Sequence, residues 1–204
     1  MKKDINSNRY IFLYATILIV VVATLLTAAA IWLRPYQDDN KKNEKRINIL
    51  RAAGIAEVNA DNAAALFEEH CTDEFLLDEN GRPDNNGTLP VFVIDRKISV
   101  IPMKGKGLWG SISGFIAIDL DSRIVGANFD HESETPGLGG EITSEKFQSQ
   151  FNGKNIHKDG QIAPIEFDAI TGATKTSDGV KEMIDQTLKL YSPYFEQLAK
   201  SEMK

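Results

Sequence analysis

Residues 112–129, ISGFIAIDLDSRIVGANF, predict a β-hairpin. The apolar runs Ile112–Ile118 and Ile124–Phe129 have the length of strands, and the segment Asp119–Arg123 between them is rich in turn-forming residues. Strands joined by so short a connection pair antiparallel. We therefore expect a sheet that is antiparallel, at least in this part.

The surrounding sequence adds further strands and helices. Val91–Ile94 and Ile98–Ile101 predict two more strands, and Gln161–Phe167 predicts another β region. A helix is predicted over Ser144–Phe151, and the apolar residues of Ser177–Tyr191 recur at helical spacing. The expected fold class is α+β, with one domain built on a mixed or antiparallel sheet.

The composition excludes several classes of function. The chain of 204 residues carries 23 basic and 29 acidic residues, for a formal net charge of −6, and no stretch concentrates the basic residues into a phosphate-binding stripe. We therefore expect no nucleic-acid partner. Cys71 is the single cysteine, which excludes an intramolecular disulfide, a Cys-x-x-Cys zinc site and an iron–sulfur cluster ligated within the chain.

The uncharged run Ile11–Leu33 predicts a transmembrane helix in contact with lipid. At about 1.5 Å per residue it covers the roughly 30 Å hydrocarbon core of a bilayer. It is also longer than the apolar core of a cleaved signal peptide, so we expect an uncleaved anchor. A short stalk helix over Asn40–Ala53, with Gly54 as its C-cap, should follow. The expected segments are a tail at 1–10, the membrane helix at 11–33, a stalk at 34–56 and the domain at 57–204.

The charges that flank the span give a weak signal for its orientation. Lys2, Lys3 and Arg9 precede the span, but more basic residues follow it, so a positive-inside count places the C-terminal part in the cytoplasm. Long domains cross a membrane largely regardless of such a count.

Gly105–Gly110, with the sequence GKGLWG, fits the G-x-G-x-x-G pattern of dinucleotide-binding loops but lacks its context. Such a loop must open a helix, whereas the residues from Ser111 onward alternate like a strand. The pattern therefore favours a flexible, glycine-rich turn in a hairpin, with Trp109 displayed on it as a large ring.

The segment from Asp130 to Glu134 contains candidate ligands for a hard cation. Asp130, His131, Glu132 and Glu134 have suitable side chains, but ligands crowded on adjacent residues rarely converge on one ion. The cluster favours a solvated acidic loop, with a metal site as the alternative.

Residues 134–141, ETPGLGGE, combine three glycines and a proline with the apolar Leu138. These residue types suit a tight surface loop and equally a backbone that passes close to a ligand. A flat aromatic ligand is the candidate occupant.

Residues 168–177, DAITGATKTS, place Thr174 just before the predicted closing helix, with Thr176 or Ser177 as the cap. Small residues precede Thr174 and leave its hydroxyl sterically open. Unpaired amides and the positive end of the helix dipole would stabilise a phosphate ester on the Thr174 oxygen, and Lys175 adds a cation. A plain turn is the alternative.

Together these motifs resemble a known flavoprotein family. The single span, the GLWG of 107–110, the ETPGLGGE of 134–141 and the TGATKTS of 171–177 resemble the FMN-binding domain family, and more closely the C subunits of bacterial sodium-translocating NADH:quinone reductases. In that family FMN is joined through its phosphate to a threonine, which corresponds to Thr174. The resemblance implies these FMN-binding residues: Trp109, Glu134, Thr135, Leu138, Gly172, Ala173, Thr174, Lys175 and Thr176.

The resemblance also implies a function, partners and an orientation. The chain is expected to be an inner-membrane subunit that relays electrons from NADH toward quinone while the complex exports Na⁺, with no catalysis on its own. A flavin transferase that uses Mg²⁺ and FAD would attach the FMN on the exported face. A cytoplasmic N-terminus and a periplasmic domain follow, against the charge count.

Two alternatives to the reductase subunit stay open. The G subunit of the Rnf electron-transport complex shares the flavinylation motif, although the glycines of 107–110 and 139–140 resemble the reductase subunit more closely. A chain without flavin would be a membrane-anchored binding or assembly module whose glycine loops contact a partner.

Overall fold

The structure is a computed structural model and describes residues 8–158 and 161–202. By its internal contacts the chain divides into two units at the boundary between Asn43 and Glu44. The α-helices of the described part are α1 (Asn8–Ala52), α2 (Ala63–His70), α3 (Glu145–Gln148) and α4 (Thr174–Glu202). The strands are β1 (Cys71–Leu77), β2 (Leu89–Ile94), β3 (Ile98–Lys106), β4 (Ser111–Asp119), β5 (Ile124–His131), β6 (His157–Lys158) and β7 (Gln161–Ile162), and two 3₁₀ helices cover Gly139–Thr143 and Ser149–Phe151.

Strands β1 to β5 form one sheet in which every neighbour in space is also the neighbour in sequence, and every pair is antiparallel. The predicted hairpin is β4–β5, with Ile112 opposite His131 at its open end. The predicted α+β fold with an antiparallel sheet is confirmed. β1 was not predicted, and the predicted β region Gln161–Phe167 shortens to β7, which pairs with β6.

Both faces of the five-stranded sheet are covered by other parts of the domain. Successive side chains of a strand point to opposite faces, and β2 and β3 show this directly. Val91 and Ile101 lie in the large cluster that α4 covers, whereas their chain neighbours Phe92 and Val100 lie in a second cluster with Ile49 of α1. Continuous apolar runs such as Val91–Ile94 are typical of strands that are buried on both faces.

Four phenylalanine rings pack together beside β5. Phe129 of β5 meets Phe147 of α3 and Phe151 of the following 3₁₀ helix, and Phe167 covers both of these. The ring centroids in contact lie 5.0 to 5.9 Å apart. Hereafter these four residues are called the phenylalanine cluster.

α1 contains both the predicted span and the predicted stalk. It is long and apolar enough to cross a membrane, and the run Ile11–Leu33 lies within it. The stalk is not a separate helix, because α1 continues past Pro35 into a polar stretch of good helix formers. The helix ends before Gly54, whose φ of 80° fits the predicted C-cap. Its residues Ile49 and Leu50 are fully buried in the core of the second unit.

α4 begins at Thr174 rather than at the predicted Ser177. Two threonines of modest helix propensity, Thr174 and Thr176, hide this first turn in the sequence. This turn is fixed by bonds between Ser177, which lies in the helix, and two residues that precede the helix. The Ser177 hydroxyl accepts from the Ile170 amide at 3.0 Å and donates to the Ala173 carbonyl at 3.1 Å.

Candidate functional site

Three segments of the domain meet at the carboxylate of Glu134. They are the β3–β4 loop Gly107–Gly110, the turn Glu134–Leu138 that follows β5, and the first turn of α4, Thr174–Ser177. We call the region they form the three-segment site. It contains most of the residues that the sequence singled out, although those residues lie far apart in the chain.

Glu134 is the centre of the three-segment site. One carboxylate oxygen accepts from the amide of Trp109 at 2.8 Å and from the amide of Gly110 at 3.4 Å. The other oxygen accepts from the hydroxyl of Thr176 at 2.6 Å. The side chain is buried, with 4% of the residue exposed.

The charge of Glu134 is stabilised by these donors. Burial on its own raises the pKa, but the Thr176 hydroxyl and the amides of Trp109, Gly110 and Leu108 all favour the ionised form, and together they hold the pKa of the Glu134 carboxyl below its ordinary value. Hydrogen bonds to an ionised acceptor are the stronger kind. The residue is therefore a buried carboxylate at neutral pH.

Two glycines make room for this carboxylate. A Cβ on Gly107 would collide with one oxygen of Glu134, and a Cβ on Gly139 would collide with the other oxygen and with the Thr176 hydroxyl. The glycines of the two quoted motifs therefore serve a close approach of backbone to side chain. The sequence marks both loops as unusual, but it does not show this reason.

The β3–β4 loop is the glycine-rich turn of a hairpin, as the sequence predicts. The Gly107 amide donates to the Gly110 carbonyl at 2.8 Å, and β4 follows directly, so the pattern opens a strand and no helix. Its tip carries two large apolar side chains in solvent, because Leu108 is 50% and Trp109 69% exposed.

The turn after β5 displays a third exposed apolar residue. The Thr135 carbonyl accepts from the amides of Leu138 at 3.1 Å and Gly140 at 3.0 Å, and Gly137 adopts a φ of 74°. Leu138 is 41% exposed, and a Cβ on Gly172 would lie 3.0 Å from its side chain. Leu138 thus sits against the turn that leads into α4.

Thr174 is the first residue of α4, and its side chain is exposed together with that of Lys175. Within the described residues, the amides of Thr174, Lys175 and Thr176 have no hydrogen-bond acceptor, as expected for the first turn of a helix. The expectation that Thr176 or Ser177 caps this helix is wrong. The Thr176 hydroxyl is used by Glu134, and Ser177 bonds to the preceding turn.

The remaining candidates are placed elsewhere or engaged locally. The Asp130 carboxylate accepts from the His131 amide at 2.8 Å, and the ring of His131 accepts from the Glu134 amide at 3.3 Å. In residues 8–158 and 161–202 no group of three or more acidic, histidine or cysteine side chains is placed to hold a metal ion. Asp168 bonds through its backbone to the Gln150 side chain.

The three-segment site has the properties needed to hold a phosphorylated flat ligand. An exposed hydroxyl with free amides and a lysine beside it suits a phosphate group, and exposed apolar side chains on two adjoining loops suit an aromatic ring. The Glu134–Thr176 hydrogen bond and the contact between Leu138 and Gly172 join the turn after β5 to the turn at the start of α4. The bond from the Trp109 amide to Glu134 joins the β3–β4 loop to the same carboxylate.

Comparison with known proteins gives consistent matches. The family model described as an FMN-binding domain matches residues 107–189, which include Trp109, Leu138 and Thr174. The C subunit of the Na(+)-translocating NADH-quinone reductase from Pasteurella multocida is 28% identical, covering 81% of this chain and 85% of that protein. The equivalent protein from Vibrio alginolyticus is 26% identical and covers 90% of this chain and 92% of that protein.

A solved structure extends the comparison to the fold. The C subunit of the same reductase from Parabacteroides distasonis superposes with a TM-score of 0.74 at 33% identity, covering 80% of this chain and 96% of that one. Identity of this size over nearly the whole of the solved chain means that the chain belongs to the family of C subunits of the Na(+)-translocating NADH-quinone reductase.

Proposed function

We propose that the chain is a membrane-anchored flavoprotein subunit of a bacterial Na(+)-translocating NADH:quinone reductase, with FMN joined through its phosphate to Thr174. The observation that carries the proposal is the exposed Thr174 hydroxyl on the first turn of α4, beside amides that have no acceptor among the described residues. That arrangement stabilises a phosphate ester on the hydroxyl oxygen.

The residues around Thr174 divide into two groups by role. Phosphate oxygens would accept from the amides of the first turn, with the Lys175 ammonium nearby, while Gly172 and Ala173 form the turn that presents the hydroxyl. Trp109 and Leu138 would cover the ring, since both are large, apolar and exposed. Thr135 shapes the turn that displays Leu138.

The attachment is a phosphoryl transfer to a hydroxyl. The Thr174 oxygen forms a bond to the FMN phosphorus of FAD, the pyrophosphate bond of FAD breaks, and AMP and the hydroxyl proton leave. A separate flavin transferase that uses Mg²⁺ is the proposed catalyst, as the resemblance to the flavoprotein family implies.

A covalent tether suits the open shape of the three-segment site. When bound, FMN supplies reversible one-electron chemistry between the redox groups of neighbouring subunits. A site with exposed walls holds a free ligand weakly, and a covalent link replaces the missing contacts by keeping the local concentration high. The chain's own contribution is to hold the phosphate and to place Trp109 and Leu138.

The other proposed partners follow from the anchor and from the relatives. α1 would hold the chain in the inner membrane, with the N-terminus in the cytoplasm and the domain in the periplasm, where it contacts other subunits. The relatives named above are reductase subunits, which favours the reductase over the Rnf complex. No acidic side chain lies in Ile11–Leu33, so we propose that other subunits carry the ion path.

Fluorescence in a denaturing gel tests the attachment. The full chain is produced with the flavin transferase, purified in detergent and denatured. We expect a fluorescent band at the mass of the chain and an intact mass raised by one FMN less one water. Thr174→Ala removes the only proposed acceptor oxygen and should abolish both signals.

Thr171→Ala is the matched control, since Thr171 is an exposed threonine in the same turn. It should keep the fluorescence and the added mass. A dark wild-type band, or a Thr174→Ala band as bright as the wild type, would contradict the proposal. A colourless chain that still co-purifies with a membrane complex would instead indicate an assembly module.

A further inference from the structure

We propose that Glu134 is a positioning residue, whose carboxylate ties the Trp109 loop to the first turn of α4 and thereby fixes the indole relative to Thr174. The consequence for a flavin rests on the proposed function, but the tie itself belongs to the chain and is testable without any cofactor. This role differs from that of a residue lying against the ring.

The two oxygens of Glu134 bind to two different elements. One accepts from the Trp109 and Gly110 amides of the β3–β4 loop, and the other accepts from the Thr176 hydroxyl of α4. The loop and the helix are far apart in the sequence, and Glu134 itself belongs to a third segment. The backbone at the start of the loop also lies close to Gly179 of α4, but the amides of Trp109 and Gly110 at its tip bond to Glu134. One side chain therefore connects all three parts of the site.

The buried surroundings of Glu134 fit an ionised carboxylate and leave it little room to move. The groups that bond to its carboxylate are all donors, and an ionised carboxylate is an acceptor only, so the hydrogen-bonding groups match. Gly107 and Gly139 flank the carboxylate so closely that no larger residue fits at either position without displacing it. A buried, fully bonded charge of this kind has little freedom to move.

The exposed Trp109 ring depends on this tie for its placement. Its side chain lies 69% in solvent and has few packing neighbours to hold it, whereas its own amide makes the 2.8 Å bond to Glu134. Loops held by few apolar contacts move on the nanosecond to microsecond scale. The bonds from the Trp109 and Gly110 amides to Glu134 are thus the described hydrogen bonds that link the tip of this loop to α4 through Thr176.

The test measures the motion of Trp109 in the chain without flavin. The chain has two tryptophans, and Trp32→Phe leaves Trp109 as the single indole reporter. The full chain in this background is produced without the flavin transferase, and time-resolved fluorescence anisotropy is recorded in detergent. Thr176→Val removes only the hydroxyl that links Glu134 to α4, and it preserves side-chain shape.

We expect Thr176→Val to lose much of the slowly relaxing component of the Trp109 anisotropy, although Thr176 bonds to Glu134 and not to Trp109. Glu134→Ala, which breaks both links, should cause a loss at least as large. The double variant should match Glu134→Ala alone, because the two changes remove the same connection.

Thr187→Val is the matched control. Thr187 is also a buried threonine of α4, and its hydroxyl donates to the Met183 carbonyl at 2.7 Å within the helix. It should change stability by a similar amount and leave the Trp109 anisotropy unchanged. An unchanged anisotropy in Thr176→Val, or an equal change in Thr187→Val, overturns the proposal. Because no flavin is present, absence of flavin on Thr174 would not affect this result.

Discussion

The phenylalanine cluster and the exposed residues Leu108, Trp109 and Leu138 are two groups of large apolar side chains with opposite surroundings. The cluster places its rings 5.0 to 5.9 Å apart between β5, α3 and the segment before α4. The exposed group lies at two loop tips, with 41% to 69% of each residue in solvent.

The two groups differ in what they contribute: the phenylalanine cluster stabilises the fold, and the exposed group is available for binding. Each ring of the cluster removes apolar surface from water and gains edge contacts with its neighbours, so the cluster stabilises the domain. The exposed group gains little from folding, and its loops are held by polar contacts to Glu134 and Thr135. Apolar side chains that are exposed on loops held by polar contacts indicate a binding site for a ligand or a partner.

Phe151→Ala should cause the largest loss of stability. Phe151 is fully buried and contacts three other rings, so its truncation leaves a cavity and should lower the free energy of unfolding by about 3–5 kcal/mol. Denaturant unfolding of the full chain in detergent, followed by near-ultraviolet circular dichroism, measures the change. A loss below about 1 kcal/mol would show that the cluster is not part of the stabilising core.

Glu134 should give a smaller effect that depends on pH. Its pKa in the folded chain lies below the ordinary 4.5, so its contribution to stability is present above that value and is lost as the pH falls through the folded-state pKa. The stability difference between the wild type and Glu134→Gln should therefore be large near neutral pH and shrink on acidification.

Glu132→Gln is the control for this titration, because Glu132 is exposed in the same segment. In unfolding curves its difference from the wild type should stay small across the acidic range, because substitution of an exposed side chain changes the free energy of unfolding by only about 0.5 kcal/mol or less. A Glu134→Gln difference that is constant with pH would contradict a stabilised, ionised carboxylate at this position.

Trp109→Ala should have the smallest effect on stability, within about 0.5 kcal/mol, because the side chain is mostly exposed. Its effect should appear in the flavin-loaded chain instead. An indole over a flavin quenches its emission, so native flavin fluorescence should rise while the fluorescence of the denatured chain stays equal to the wild type. Equal native fluorescence in both chains would place the ring away from Trp109.

Local sequence patterns predicted most of the fold because antiparallel neighbours are also neighbours in the chain. The β4–β5 hairpin follows from two apolar runs separated by turn-forming residues, and β2 and β3 follow from the apolar runs Val91–Ile94 and Ile98–Ile101. β1 was missed because Cys71–Leu77 is an edge strand in which three consecutive polar residues, 72–74, interrupt the apolar pattern. The start of α4 was missed because Ser177 fixes it through contacts outside the helix.

The sequence predicted which segments form the candidate site better than it predicted the contacts that join them. Glycine patterns and the Thr174 motif marked the three segments, since unusual residue types are visible in the sequence. The bond between Glu134 and Thr176 joins residues 42 positions apart, and no local rule relates them. The same holds for the need for glycine at 107 and 139, which arises only from a neighbour in space.

The order of the three segments along the chain bears on when modification happens. The proposed acceptor, Thr174, opens α4, and the turn that presents it is bonded to Ser177, while the two loops beside it are synthesised earlier. A transferase that needed all three segments in place would therefore act only after translation of the whole domain. The fraction of chains that carry flavin would then report the fraction that had folded.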